Sequence, residues 1–387
     1  MEKIRVAIVG VGNCASALMQ GIEYYGHREN QGQLEDRGLA GLINSYVGPY
    51  VPGDVEIVSA FDIDKRKVGR ELREAIFAKP NSTPRFIEDI SQGRVEVHMS
   101  PILDGYPEHM KEYPEDHVFA PSRREPDDVK SILRDSGAEI LVNFLPVGSE
   151  KATEYYANLC LELGIAMANC IPVFVASNGQ WAEKFREKNI PIIGDDVKSQ
   201  LGATIIHRTL ASLFSDRGIS IKKTYQLNTG GNTDFLNMLN RKRLSSKKIS
   251  KTESVRSVID ETISEENIHV GPSDYVPWQK DNKICFIRLE GQGFAKSPIE
   301  LELRLSVIDS PNSAGVVLDV IRCLKIAIDA NMGGPLIEPS SYFMKHPPVQ
   351  YKDEEAKMAL ENFIDNAVRL RKTDSELVEI VRKPSPR

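Results

Sequence analysis

The stretch Lys3-Ile-Arg-Val-Ala-Ile-Val9-Gly10-Val-Gly12-Asn13-Cys14-Ala15 decides how the chain is read. Lys3–Val9 is a short apolar run rich in β-branched residues, the pattern of a buried strand. Gly10-x-Gly12-x-x-Ala15 follows at once and fits a dinucleotide-binding turn, whose third position accepts alanine. Gly10 permits the tight turn, and Gly12 lets the backbone approach a pyrophosphate. Beyond it Leu18, Ile22 and Tyr25 fall at i, i+4 and i+7, so a helix with one apolar face comes next. Its N-terminus supplies unpaired N–H groups and the positive end of a dipole, which suits an anion. Glycine-rich turns are common, and the flanking strand and helix give this one its meaning.

Working outward, a polar, Gly-containing insertion over Gly26–Asp54 precedes a second strand, Val55–Phe61, which ends in Asp62-Ile-Asp64. An acid there meets a ribose hydroxyl and favours NAD over NADP; Asp62 is the first candidate and Asp64 the second. Against that stand a plain turn-capping role for Asp62 and the nearby cations Lys65-Arg66-Lys67, which suit a 2′-phosphate. Arg85–Val129, rich in Pro, Asp, Glu and Arg, reads as an excursion of loops and short elements. Strands at Ile140–Leu145, Ile165–Asn169 and Ile190–Gly194, with a helix at Ser149–Leu163, argue for a doubly wound parallel sheet. Past Lys198 the pattern changes. A helix at Leu201–Phe214 leads to a strand, Lys223–Asn228, and a Lys/Arg-rich helical stretch, Asp234–Ser257. Strands at Lys283–Leu289 and Ile299–Ile308 follow, with Leu301, Leu303 and Leu305 on one face. An apolar helix, Gly315–Ala330, closes this α+β block, and Leu336–Arg387 reads as a polar helical tail packed back on the first domain.

The 387 residues exceed what one core usually organises, and 41% hydrophobic with 27% charged residues is ordinary for a globular protein. A net charge of −6 argues against a generic nucleic-acid binder. The five cysteines, Cys14, Cys160, Cys170, Cys285 and Cys323, are scattered without a C-x-x-C pair, which suits a reducing compartment. No secretory signal or membrane-spanning stretch is read, so the expected location is the cytoplasm, with no membrane partner.

The second half carries the chemistry. Gly194-Asp195-Asp196-Val-Lys198-Ser199-Gln-Leu-Gly202-Ala-Thr204 is a strand end, a polar loop and a helix start. Backbone N–H groups with Ser199 or Thr204 would cradle a phosphate there, or Ser199 simply caps the helix. Asn228-Thr-Gly230-Gly231-Asn232-Thr-Asp234 sets amides and a carboxylate at a strand end, or forms only a turn. Ser246-Lys247-Lys248-Ile-Ser250-Lys251-Thr252 puts Lys247 and Lys251 on one helical face, for an oxyanion or for solvent. The seven histidines are dispersed, and His207 on an apolar helix reads as a core residue.

Taken in order, these blocks resemble myo-inositol phosphate synthase, in its archaeal and bacterial form, across nearly the whole chain. Gly10–Ser16, Gly194–Ser199, Gly230–Met238 and above all Ser246–Thr252 carry the likeness. Asp281-Asn-Lys283, Ser306–Asn312 and Tyr342-Phe-Met-Lys345-His-Pro look like further site segments. The resemblance implies an α/β protein with a Rossmann-type doubly wound parallel sheet and a second α+β catalytic and oligomerisation domain. Residues 1–198 completed by 334–387 would bind NAD; residues 199–333 would carry catalysis and tetramer assembly. It implies conversion of D-glucose 6-phosphate to 1D-myo-inositol 3-phosphate by oxidation at C5, enolisation, intramolecular aldol closure and reduction. Lys247, Lys251, Lys283, Lys345, Asp309 and Asp234 would be catalytic, with Lys345 or Lys247 as general base unless the substrate phosphate takes the proton. Gly10, Gly12, Asn13, Cys14, Ala15, Asp62 and Asp196 would hold NAD. Ser199, Thr204, Lys251 and Lys283 would hold phosphate. This chain has Gln200-Leu-Gly-Ala-Thr204 where eukaryotic members carry a tighter Gly-Gln-Thr run. Members of this type can need a divalent or monovalent cation, but no His/Asp/Glu spacing here identifies a metal site. The alternative from fold alone is an NAD-dependent dehydrogenase of a small phosphorylated or amino-acid substrate.

Overall fold

The structure, a computed structural model, describes residues 3–30, 40–240, 243, 245–259, 263–271 and 274–382. Within these, the side chains of Lys247 and Lys251 also lie outside what is described. Strands β1 (Ile4–Val9), β2 (Val55–Asp62), β3 (Val97–Met99), β4 (Ile140–Asn143), β5 (Ala166–Asn169) and β6 (Pro191–Gly194) form one sheet in the order 6-5-4-1-2-3. All neighbouring pairs are parallel, and the short strand Gly334–Pro335 adds to the free side of β6. This is the doubly wound dinucleotide-binding order, with its switch point between β1 and β4. Alternation along β1 serves both faces. Ile4, Val6 and Ile8 pack with the helix Asn13–Asn30, while Ala7 and Val9 pack with the helices Val129–Ser136 and Glu150–Leu163.

Three features differ from expectation, two of them around the first sheet. The excursion 85–129 contains β3, whose three residues are too few to show a period. The apolar helix begins at Asp309, six residues earlier than its hydrophobic run, and ends at Asp329. It packs on the helix Asn13–Asn30 and on β4, β5 and β6, so spatially it belongs to the first sheet rather than to the middle block. Its residues are buried almost all round because the sheet, the N-terminal helix and the helices Ile337–Phe343 and Asp353–Arg382 enclose it.

The second sheet holds β7 (Ser220–Gly230), β8 (Ile268–Val270), β9 (Asp274–Tyr275), β10 (Asn282–Gln292) and β11 (Pro298–Ile308). β11, β10 and β7 form an antiparallel meander, and β8 and β9 pair parallel to β7. The helices Ala203–Asp216 and Ser245–Arg256 cover one face through Ala203, Ala211, Phe214 and Val255 against Cys285, Ile287 and Leu289. The Lys/Arg-rich stretch is thus two helices, Thr233–Asn237 and Ser245–Arg256, not one. No helix among the described residues is long and apolar enough to cross a membrane. The five cysteines are free thiols.

Candidate active site

At the carboxyl ends of β1, β2, β4, β5 and β6 opens a cavity of about 250 Å³, where ligands bind in open α/β sheets. Gly10 makes the turn out of β1 with φ +90°, and its N–H donates to Phe61 O at 2.9 Å. A Cβ there would sit 2.6 Å from Phe144 O, so only glycine lets the β1 and β4 turns approach. A Cβ at Gly12 would meet nothing within 4 Å. That open space adjoins the first turn of the helix Asn13–Asn30. Asn13 and Cys14 also line the cavity, whereas Ala15 is buried behind it. The Asn13 side chain has a structural duty as well: its Oδ1 accepts the N–H of Ser82 at 2.7 Å and of Thr83 at 3.2 Å, pinning that loop.

Asp62 reaches the cavity, and its Oδ2 accepts the Val11 N–H at 2.7 Å. Asp64 is fully buried and occupied by Arg66 and the Ala120 N–H. The three neighbouring cations are all engaged. Lys65 pairs with Glu115, Arg66 with Asp64, and Lys67 donates to Val11 O at 2.7 Å and Asn81 Oδ1 at 2.9 Å.

The lysines and carboxylates converge from distant segments. Residues 195–198 and 343–346 run side by side, with Lys198 N bonded to Phe343 O, Lys345 N to Asp196 O and His346 N to Asp195 O. This ladder sets Lys345 Nζ 2.8 Å from Asp196 Oδ1. Asp196, in the left-handed region at φ +63°, also accepts the Ser250 hydroxyl at 2.8 Å. Ser250 lies between Lys247 and Lys251 in sequence, so the helix carrying both is anchored at the cavity; the two lysine side chains themselves lie outside the described residues. Across the cavity Lys283, on β10, donates to Asp309 Oδ1 at 3.2 Å. Burial works against the Lys283 charge, but the Asp309 carboxylate outweighs it and holds this lysine above the usual range. The ion pair with Asp309 thus favours the charged form of Lys283. Asp234, Ser199 and Thr204 complete the lining. The helix N-cap is Gly202, not Ser199, whose hydroxyl instead lies 3.4 Å from that of Ser313.

Gln226 and Ser250 escaped the sequence reading as site components, whereas Asn228 was read there as one amide of the strand-end block. Asn228 is buried on β7, and its Nδ2 has no hydrogen-bond partner among the described residues. Gln226, two residues earlier, lines the cavity and bonds to Asn228 Oδ1 at 3.3 Å. Strand periodicity put Gln226 and Asn228 on one face, but only the fold turns that face toward the cavity. His207 sits in the core as expected, bonded to Thr224 Oγ1 at 2.7 Å, with burial lowering it to about 4.

Residues 202–310 match the family model described as myo-inositol-1-phosphate synthase. Over 367 residues the chain is 48% identical to the inositol-3-phosphate synthase of Mycolicibacterium smegmatis, covering 94% of this chain and 98% of that protein. The chain belongs to the inositol-3-phosphate synthase family. Its activity is that of this isomerase-class synthase, and NAD is the family's cofactor. The fold agrees. The inositol-3-phosphate synthase of Caenorhabditis elegans superimposes with a TM-score of 0.70 at 14% identity, covering all of this chain and 90% of that one. A myo-inositol-1-phosphate synthase-related protein from Thermotoga maritima gives 0.76 at 21% identity, covering 94% and 99%.

Proposed function

We propose that this synthase turns D-glucose 6-phosphate into 1D-myo-inositol 3-phosphate in the cavity between the two sheets, with NAD on the Gly10–Ala15 turn. The observation that carries the proposal is two lysine–carboxylate pairs, Lys345–Asp196 and Lys283–Asp309, facing one cavity that begins at the glycine turn. NAD, when bound, supplies the hydride acceptor for C5 of the sugar and returns the hydride at the end. The rest is the work of side chains. Oxidation gives a ketone that acidifies C6–H; the C6 enolate then closes on the C1 aldehyde. Each step develops negative charge on oxygen, and fixed ammonium groups in a mostly buried site stabilise it without reorganising. Lys283 serves as such a cation, and Lys345, with Asp196 to receive or return a proton, serves the oxygen near the transferred hydride. Ser199, Thr204 and the N-terminus of the helix Ala203–Asp216 hold the substrate phosphate, with Lys251. Asp234 orients a lysine.

The test mixes protein, NAD and glucose 6-phosphate and follows inositol phosphate together with NADH absorbance. Inositol phosphate without lasting NADH is expected; stoichiometric NADH accumulation would point to a net dehydrogenase instead. Because Lys65, Arg66 and Lys67 are all engaged and Asp62 faces the cavity, NADP is expected to bind about 100-fold more weakly than NAD, as judged by fluorescence titration. Equal affinities would remove Asp62 from the ribose.

Assembly into a homotetramer belongs to the same proposal. Leu227 and Phe286 face each other across β7 and β10 on the side of the second sheet away from the helices, and both are exposed. Light scattering at micromolar concentration reads the assembly directly.

A further inference from the structure

Beneath the cavity, outside its lining, lies a carboxylate that none of the roles above uses. Asp281 is 2% exposed and sits two residues before Lys283. Its Oδ1 accepts the Asn232 amide at 3.0 Å and the Ser310 hydroxyl at 2.8 Å, and its Oδ2 accepts the Ser310 N–H at 3.3 Å. Its own carbonyl accepts the Asp309 N–H at 2.9 Å. Each partner belongs to a different wall of the site. Asn232 uses its remaining oxygen to cap the helix Thr233–Asn237, accepting the N–H groups of Asp234 and Phe235, and so sets Asp234. Ser310 follows Asp309 at the start of the helix Asp309–Asp329. Lys283 leaves Asp281 along β10 to meet Asp309.

We propose that Asp281 is a positioning residue of the synthase: one buried carboxylate that locks Lys283, Asp309 and Asp234 into a single geometry and turns the Ser310 oxygen outward as an acceptor. An ionised carboxylate only accepts, so Ser310 must spend its one hydroxyl proton on Asp281. The lone pairs of Ser310 then remain for the cavity, which Ser310 lines. Cys14, the other side-chain partner of Ser310, has its thiol pushed up to about 12 by burial and by Asp309, Asp281 and Asp234. Cys14 on the glycine turn thus adjoins Ser310, and Ser310 adjoins Asp281. A substrate hydroxyl fits the acceptor that Ser310 presents.

The carboxylate stands in a crowd of charge. Asp309 acts on it from the helix Asp309–Asp329 and Cys14 from the helix Asn13–Asn30, while Asn232 and Ser310 donate to it. Burial, then Asp309, raises Asp281 to about 6. A group raised in this way stabilises the fold below its unfolded value near 3.8, and that contribution is lost as pH rises through about 6. Ionised Asp281 is thus kept at a cost to stability, as expected of a group retained for function.

The experiment rests on the glucose 6-phosphate reading and separates the two claims by comparing wild type with Asp281→Asn, which keeps the shape and removes the charge. In wild type, kcat should fall below about pH 6. In Asp281→Asn, kcat should drop about 100-fold and stay flat from pH 5 to 7, with the NAD dissociation constant little changed. The melting temperature of Asp281→Asn relative to wild type should rise between pH 5 and 7, a readout that needs no turnover. Asp281→Ala, which also removes the acceptors, should lose both kcat and melting temperature. Wild-type kcat with the acid limb intact in Asp281→Asn would overturn the proposal, as would a melting-temperature difference independent of pH. An inactive wild type would count against the substrate reading alone, leaving the melts to judge Asp281.

Discussion

Lys345→Met is expected to lower turnover by about 1,000-fold while leaving NAD affinity within a few-fold of wild type. Lys345 is placed by backbone, not by chance: the ladder between residues 195–198 and 343–346 fixes its Cα, and Asp196 fixes its Nζ at 2.8 Å. On the proposed role, removing the ammonium strips charge stabilisation from the reacting oxygen, whereas the glycine turn, which would carry the dinucleotide, is untouched. The loss therefore belongs in kcat. Asp196 loses its Lys345 ammonium and with it part of the favourable environment for its charge, so a stability loss of about 1–3 kcal/mol should accompany the change. Pairing the variant with Asp196→Asn should recover that stability without recovering turnover. Stopped-flow or steady-state inositol phosphate assays, NAD titration and thermal melts separate the three quantities. If NAD binding collapses in Lys345→Met, the lysine serves the cofactor rather than the chemistry.

The same pair shows where sequence ran out. Lys345 and Asp196 are 149 residues apart, and nothing in spacing or periodicity joins them; only the closing of the Rossmann-type sheet does. The glycine turn was legible because all its parts are local: a buried strand, two glycines and a helix start within a dozen residues. Most of the parallel strands were legible because burial on both faces produces continuous apolar runs. β3 was not, since three residues carry no period. The helix Asp309–Asp329 was misplaced because its polar first turn, Asp309-Ser-Pro-Asn, looks like a loop until Asp281 is seen to bind it. Its sheet could not be inferred at all, because an apolar helix does not declare which core it enters. Ser250 and Asp281 share one explanation. Each acts through a hydrogen bond to a residue remote in sequence or on another element, and such bonds leave no trace in local pattern.

The two glycines of the turn should fail in different ways, and that difference tests the cofactor reading most sharply. Gly10→Ala forces φ +90° on a residue with a side chain and drives its Cβ to 2.6 Å from Phe144 O and 2.8 Å from Phe144 C. Those atoms are backbone and cannot swing aside, since the Phe144 N–H is itself bonded to Val9 O at 2.9 Å. The β1 and β4 turns must move apart, at a cost of about 2–5 kcal/mol from strain and overpacking together. Melting temperature and NAD affinity should both fall, the latter beyond measurement. Gly12→Ala meets no protein atom within 4 Å, so the fold should tolerate it with an unchanged melt. The space its methyl would fill is where a pyrophosphate must come close to the backbone, so NAD affinity should still drop by about 100-fold or more. A stable Gly12→Ala protein that binds NAD normally would place the dinucleotide elsewhere in the cavity. A Gly10→Ala protein with a wild-type melt would show that the turn can relax, and the close approach of β1 and β4 would no longer explain why glycine stands there.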